Sequence, residues 1–275
     1  MRKIPLLLFI AATLNAAYNP QDTEFLIEVG KGNVPGHSLV QKFGFNDAVN
    51  GTLGPITTTG DYPTPTTAQS LEILSSDADD NSSGLGGRSV TIEGLDANWD
   101  EQSETVSLNG TTPVALSNTF TRVFRMQLAS SGVYSEVGAL THQGTITLRV
   151  SGGGDTWAEI ALDSVTGAPM GQSEIGVYTI PAGKTGYLLY KHTTIESSKT
   201  PSIYWFRREG VDVVTAPFKP RRLFERHVGV IDSIEYNPGA PIITLPEKTD
   251  IGAMGYQSTG SAAVSVEFQI LLVDN

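Results

Sequence analysis

The chain contains no cysteine, which removes disulfides, thiolate metal ligands and thiol nucleophiles at once. It is also poor in charge, with 17% Asp, Glu, Lys and Arg over 275 residues. The charge it has leans acidic: 18 basic against 29 acidic residues, a formal net charge of −11. Nucleic acid is a poor partner for such a surface, because binding a phosphate backbone relies on Lys and Arg displacing counterions. Histidine is scarce too. His37, His142, His192 and His227 are the four, and none sits at i, i+4 spacing or in an HExxH pattern, which leaves metal-dependent hydrolysis with little support. A GxSxG elbow, a phosphate-binding loop and a dinucleotide fingerprint are all missing. Gly84, Gly86 and Gly87 follow an acidic loop with no helical pattern after them, a poor cradle for an anion.

Long hydrophobic runs are confined to the start. Arg2 and Lys3 precede an apolar run from Ile4 to Leu14, followed by Ala16 and Ala17. A basic end, a short apolar stretch and small residues form the layout of a secretory signal peptide. The run is too short to cross a bilayer as an ordinary helix, and no membrane partner is expected. Two readings of residues 1–23 stand: a signal-like segment cleaved near residue 17, or an apolar arm that packs on a neighbouring subunit.

From residue 24 onward the pattern is that of strands. Val264, Val266, Phe268, Ile270 and Leu272 fall on one face, with Ser265, Glu267 and Gln269 on the other. Val90 with Ile92, Val106 with Leu108, and Ile146 with Leu148 and Val150 repeat this period of two, the mark of half-buried strands. The 29 glycines and 15 prolines are spread along the chain, as short strands joined by tight turns require. The segment 181–184, Pro-Ala-Gly-Lys, lies between strand-like stretches ending at Ile180 and resuming at Tyr187, and predicts a hairpin. Residues 46–67 and 75–87 read as loops. A weaker break at 166–172 marks either a boundary between two β subdomains or a crossover within one. The expected fold is all-β: an antiparallel, jelly-roll-like β-sandwich over residues 24–275.

Three clusters could carry chemistry. Asp77, Asp79, Asp80 and Asn81 offer the hard oxygens calcium prefers, although no glycine holds the sixth loop position and no glutamate the twelfth. Solvated turns more often account for such loops, so the metal content stays open and no cofactor is expected. Asp96, Asp100, Glu101 and Glu104 surround Trp99, as paired carboxylates do in glycosidases; a polar loop with one anchoring tryptophan is the plainer reading. Aromatic residues Tyr204, Trp205 and Phe206, or Tyr62 and Trp99, could build a sugar platform, yet aromatics favour strands in any case. In 203–207, alternation puts Trp205 with Ile203 and Tyr204 with Phe206. The basic cluster of Lys219, Arg221, Arg222, Arg226 and His227 reads as a solvated or subunit-facing strand edge.

Several long phrases occur in one order: Val34–Ser38 through Phe43–Gly44, Pro65–Gln69, Arg88–Asn98, Ser103–Pro113, Gly171–Ser173, Tyr178–Tyr187, Glu247–Asp250 and Ile270–Asn275. On these segments the chain resembles a family of structural proteins encoded by tailed phages, marine and Vibrio-type phages in particular, from about residue 28 to the end. The resemblance implies a virion component, a capsid decoration or head or tail accessory protein, that binds other virion proteins such as the major capsid protein or neighbouring accessory subunits. It implies a homo-oligomer, with a trimer as the preferred picture. The family supplies no catalytic motif to carry over, and no enzyme is expected. Residues 1–27 depart from the short polar start expected of it. The competing reading is a secreted or periplasmic carbohydrate-binding β-sandwich, which loss of residues 1–17 would favour.

Overall fold

Alternating apolar and polar side chains can bury one face of a strand only if strands pair and stack, and the chain does this with seventeen strands among the described residues. The computed structural model describes residues 20–134, 140–196 and 198–275; the arm or signal-like segment proposed for the start lies almost wholly outside them. One short helix, α1 (Pro20–Gly30), precedes the strands. Pro20 fits its first turn, where a backbone N–H has no helical partner to lose. Phe25 packs edge-on against His37, with ring centroids 5.6 Å apart.

The strands form four sheets with antiparallel pairing throughout. The terminal sheet holds β1 (His37–Val49), β17 (Ala262–Asp274) and β11 (Lys184–Ile195), with β14 (Ser233–Tyr236) and β15 (Ile243–Leu245) both paired to β11. The central sheet runs β10 (Val177–Thr179), β16 (Thr249–Tyr256), β12 (Ser202–Glu209), β13 (Arg222–His227), with the short β2 (Gly54–Pro55) on β16. Two further sheets come from the middle of the chain. One is β6 (Val114–Phe120), β3 (Gln69–Ser75), β8 (Ile146–Val150), β9 (Thr156–Ile160); the other is β5 (Glu101–Ser107), β4 (Gly87–Leu95), β7 (Arg122–Ser131). The strands of residues 69–160 are therefore an insertion between β2 and β10. The 166–172 stretch lies on the path back from the insertion to the central sheet, bridged at Leu162 to Pro169 and at Gln127 to Gln172.

Two hydrophobic cores result. The first fills the space between the terminal and central sheets, and the whole apolar face of β17 from Val264 to Leu272 lies in it. Trp205 meets Phe268 there edge-to-face at 5.8 Å. The second core unites the insertion, through residues such as Ile92, Phe120 and Leu148, with the far face of the central sheet, through Val177, Phe206 and Met254. β12 shows the division residue by residue: Ile203 and Trp205 face the first core, Tyr204 and Phe206 the second. The central sheet is thus covered on both faces, and β16 is buried along all but its last residue. Each Leu, Ile, Val or Phe side chain fully buried in this way contributes about 1.5–3 kcal/mol.

The all-β, antiparallel expectation holds. The architecture is richer than one pair of sheets, because the insertion gives the central sheet a second face to bury. Where β1 crosses the entry to β10, the backbones all but touch: a Cβ on Gly44 would stand 2.1 Å from the Gly176 nitrogen. Only glycine allows two chains to approach so closely.

Candidate functional site

The chain from Ser75 to Gly87 wraps around the side chain of Asp80, which is fully buried. Its Oδ1 accepts from the Gly87 and Gln143 amides at 2.7 and 2.8 Å. Its Oδ2 accepts from the Ser75 hydroxyl at 2.6 Å and the Gly144 amide at 2.9 Å. The calcium candidates Asp77, Asp79, Asp80 and Asn81 are not brought together as a ligand set. Asp80 is saturated by protein donors, Asp77 caps the Asp79 amide at 2.8 Å, and Asn81 caps Ser83 at 3.0 Å. Among the described residues no three of His, Asp and Glu are grouped to hold a metal ion.

The acidic residues around Trp99 diverge in the same way. Asp96 closes its own turn by accepting from the Asn98 and Asp100 amides at 2.7 and 2.9 Å. Glu104 reaches across to β6 and accepts from the Ser117 and Asn118 amides at 2.7 and 2.8 Å. Glu101 accepts from the Tyr178 hydroxyl at 3.3 Å. Trp99, at a positive φ of 71°, turns its ring inward beneath the Arg122 guanidinium, 5.0 Å away. These carboxylates organise backbone; they do not converge on a shared space as an acid and base pair must.

The sugar-platform aromatics are buried or, for Tyr62 and Tyr204, half-buried. Trp205 is 1% exposed and Phe206 5%, and Tyr204 is covered by Arg226, whose guanidinium lies 5.1 Å over its ring. One surface cavity, of about 350 Å³, opens beside the end of β1 and is lined by Asn, Thr, Gly and a single carboxylate, Asp47. A second, of about 280 Å³, exposes Gln41, Arg125 and Gln172 around the end of Lys42. Neither pairs a nucleophile with a base.

What remains is a surface. β13 is the outermost strand of the central sheet, and β14 and β15 line the outer side of β11 in the terminal sheet. The chain passes directly from β13 to β14, so residues 222–243 form one border shared by both sheets. Leading into it and along it, Val213, Val214, Phe218, Leu223, Val228, Ile231 and Tyr236 are exposed. They are seven of the fourteen large exposed apolar residues among those described, gathered in a small fraction of the chain. Exposed apolar side chains grouped in one stretch fit a binding surface better than scattered single exposures do.

The same border is basic. Residues 207–226 contain six basic residues, Arg207, Arg208, Lys219, Arg221, Arg222 and Arg226, and three acidic ones. All three acids are engaged. Glu209 pairs with Arg207 at 3.5 Å and Lys219 at 3.8 Å. Glu225 pairs with the buried Lys191 at 2.6 Å and with His227. Asp212 pairs with Lys248 at 3.2 Å. Arg208, Arg221, Arg222 and Arg226 are left without an acidic partner among the described residues. Arg221 is held over the Phe206 ring at 4.8 Å. The sequence marked the basic half of this surface. The apolar half is masked, because Val228, Ile231 and Tyr236 stand beside the buried Val230 and half-buried Ile234 and read as ordinary strand residues.

In comparisons with known proteins, no family model matches the chain, and no curated protein does. Among solved structures, the chain is 11% identical to a chain of the infectious bursal disease virus Gx strain, covering 86% of this chain and 75% of that one at a TM-score of 0.21. For the infectious bursal disease virus VP2 subviral particle the values are 10%, 86%, 72% and 0.22. For the Arthrobacter globiformis T6 isomalto-dextranase complexed with panose they are 13%, 86%, 35% and 0.23. TM-scores of this size are too low to argue from. No helix among the described residues is long and apolar enough to cross a membrane.

Proposed function

We propose that this protein is a structural component of a tailed-phage particle, a non-enzymatic capsid decoration or head or tail accessory protein that works by gripping other virion subunits. The observation that carries the reading is the shared border at β13 and β14. In the stretch 208–236, leading into it and along it, half of the large exposed apolar side chains among the described residues occur together with four arginines that make no salt bridge. Two further features support it. The phrases from Val34 to Asn275 resemble tailed-phage structural proteins, and the acidic clusters that suggested calcium at 77–81 and catalysis at 96–104 hold backbone amides. A rigid stack of sheets presents such a border without an ordering cost, and a symmetric particle multiplies modest contacts into firm attachment.

Mass spectrometry of purified particles of the encoding phage tests this. The protein is expected in the particle, in hundreds of copies as a decoration or about a dozen or fewer at a tail or vertex. Its absence from particles purified to constant composition overturns the reading.

A further inference from the structure

The basic border has an electrostatic complement elsewhere on the same molecule. We propose that its partner is a second copy of this chain, docked head to tail, with the β13 border of one copy on the acidic turn of the next. The proposal rests on the reading of the chain as an assembling structural protein and names the partner of that surface.

The complement lies at the other edge of the same sheet. The central sheet runs β10, β16, β12, β13, so β10 and β13 bound it on opposite sides. Against the β10 side sits the stretch 93–104, which contains no basic residue; Glu93 is paired with Arg125 at 3.7 Å, and Asp96, Asp100, Glu101 and Glu104 supply the turn's negative charge. It is latched there by three contacts. The Tyr178 hydroxyl reaches Glu101 at 3.3 Å, the Ala182 amide donates to the Trp99 carbonyl at 2.9 Å, and Lys184 lies 3.8 Å from Glu101. Asp100 and Glu101 face solvent.

Three strand spacings separate β10 from β13, about 14 Å. That exceeds the screening length of about 8 Å at physiological ionic strength, so the two patches do not neutralise each other within one copy. Between copies they can meet directly. The symmetric alternative, two β13 borders side by side about an axis near Phe224, sets Arg222 of each copy against Arg226 of the other, and like charges facing across strands are destabilising. Unlike patches at opposite edges give a heterologous contact, which repeats until it closes into a ring or continues as a filament. The exposed Leu223, Val228, Ile231 and Tyr236 supply the apolar area that such a contact buries.

The test is sedimentation of the full chain across concentration and salt. Concentration-dependent association is expected at low ionic strength, weakening about tenfold or more between ~50 and ~500 mM NaCl. Arg222→Glu with Arg226→Glu, and separately Asp100→Lys with Glu101→Lys, should each yield monomer while keeping the wild-type circular dichroism; the second pair should melt lower, because it also loses the Glu101 contacts to Tyr178 and Lys184. Mixing the two charge-reversed proteins should restore association, which neither a misfolded variant nor a symmetric contact predicts for the acidic-turn pair. A monomer at all concentrations, association indifferent to salt, or association unaffected by Asp100→Lys with Glu101→Lys overturns the proposal. These outcomes are separate from the particle measurement: a monomer found in purified virions sinks only the head-to-tail contact, and a self-associating chain missing from virions sinks only the virion reading.

Discussion

Arg122 of β7 and Asp250 of β16 form an ion pair across the seam between the insertion and the central sheet, with Nε 3.3 Å from Oδ1 and Nη2 3.4 Å from Oδ2. Their side chains are 1% and 5% exposed. The remaining polar capacity is used: Thr179 donates to Oδ1 at 2.6 Å, and Nη1 donates to the Thr121 carbonyl at 2.9 Å. Breaking one half of a buried pair leaves an uncompensated charge, which costs far more than the pair's net worth. Arg122→Met should lower unfolding stability in urea by about 3–5 kcal/mol. Adding Asp250→Leu to it should recover part of that loss, so the double variant falls short of the sum. A single-variant loss below about 1 kcal/mol would mean the seam does not depend on this pair.

Asp80 is the second internal anchor. Four donors, from the two ends of the 75–87 loop and from Gln143 and Gly144, end on its two oxygens. Asp80→Ala strands three backbone amides and a hydroxyl in a buried space, and each orphaned donor costs about 1–3 kcal/mol. The variant should unfold at least about 3 kcal/mol more easily, or fail to fold. Because the carboxylate is already satisfied by protein donors, adding calcium or a chelator should shift the wild-type melting temperature by less than about 1 °C. A calcium-dependent rise of several degrees would restore the metal reading of this loop.

Much of this fold can be read from the residues, for a physical reason. A strand buried on one face must alternate, and β17 and β12 do, down to the opposite destinations of Trp205 and Phe206. The loop at 75–87 was legible because turn residues cluster where strands end. Other features left no local trace. α1 carries no clear helical period, since Phe25, Leu26 and Ile27 are adjacent rather than spaced at helical intervals. The second face of the central sheet is a product of the insertion, so nothing in β16 alone announces it. Acidic clustering pointed to sites at 77–81 and 96–104, but nearness in sequence sets no side-chain direction, and the backbone claims those carboxylates. In β1 the expectation from polarity is reversed, with Lys42 buried and Phe43 only half-buried.

That lysine gives the protein a pH dependence of unusual sign. Lys42 donates to the Phe124 carbonyl and lies 6.0 Å from the Phe124 ring. Burial disfavours its charged form, neighbouring Arg125 adds to the effect, and Glu93 opposes it, leaving a pKa of about 7. In the unfolded chain the same amine keeps its proton to about 10.4. Below pH 7 both states are charged, and the full penalty of burying the ammonium is present. Between about 7 and 10.4 the unfolded state binds more protons than the folded one, so this group makes stability rise with pH, by up to about 1.4 kcal/mol per unit. Lys42→Met abolishes that slope. Paired urea titrations of wild type and variant should therefore show the variant's relative stability falling steadily from near neutrality to about pH 10, with other titrating groups cancelling in the difference. Parallel profiles across that range would show that the amine stays charged in its buried seat, held there by Glu93 more strongly than burial opposes it.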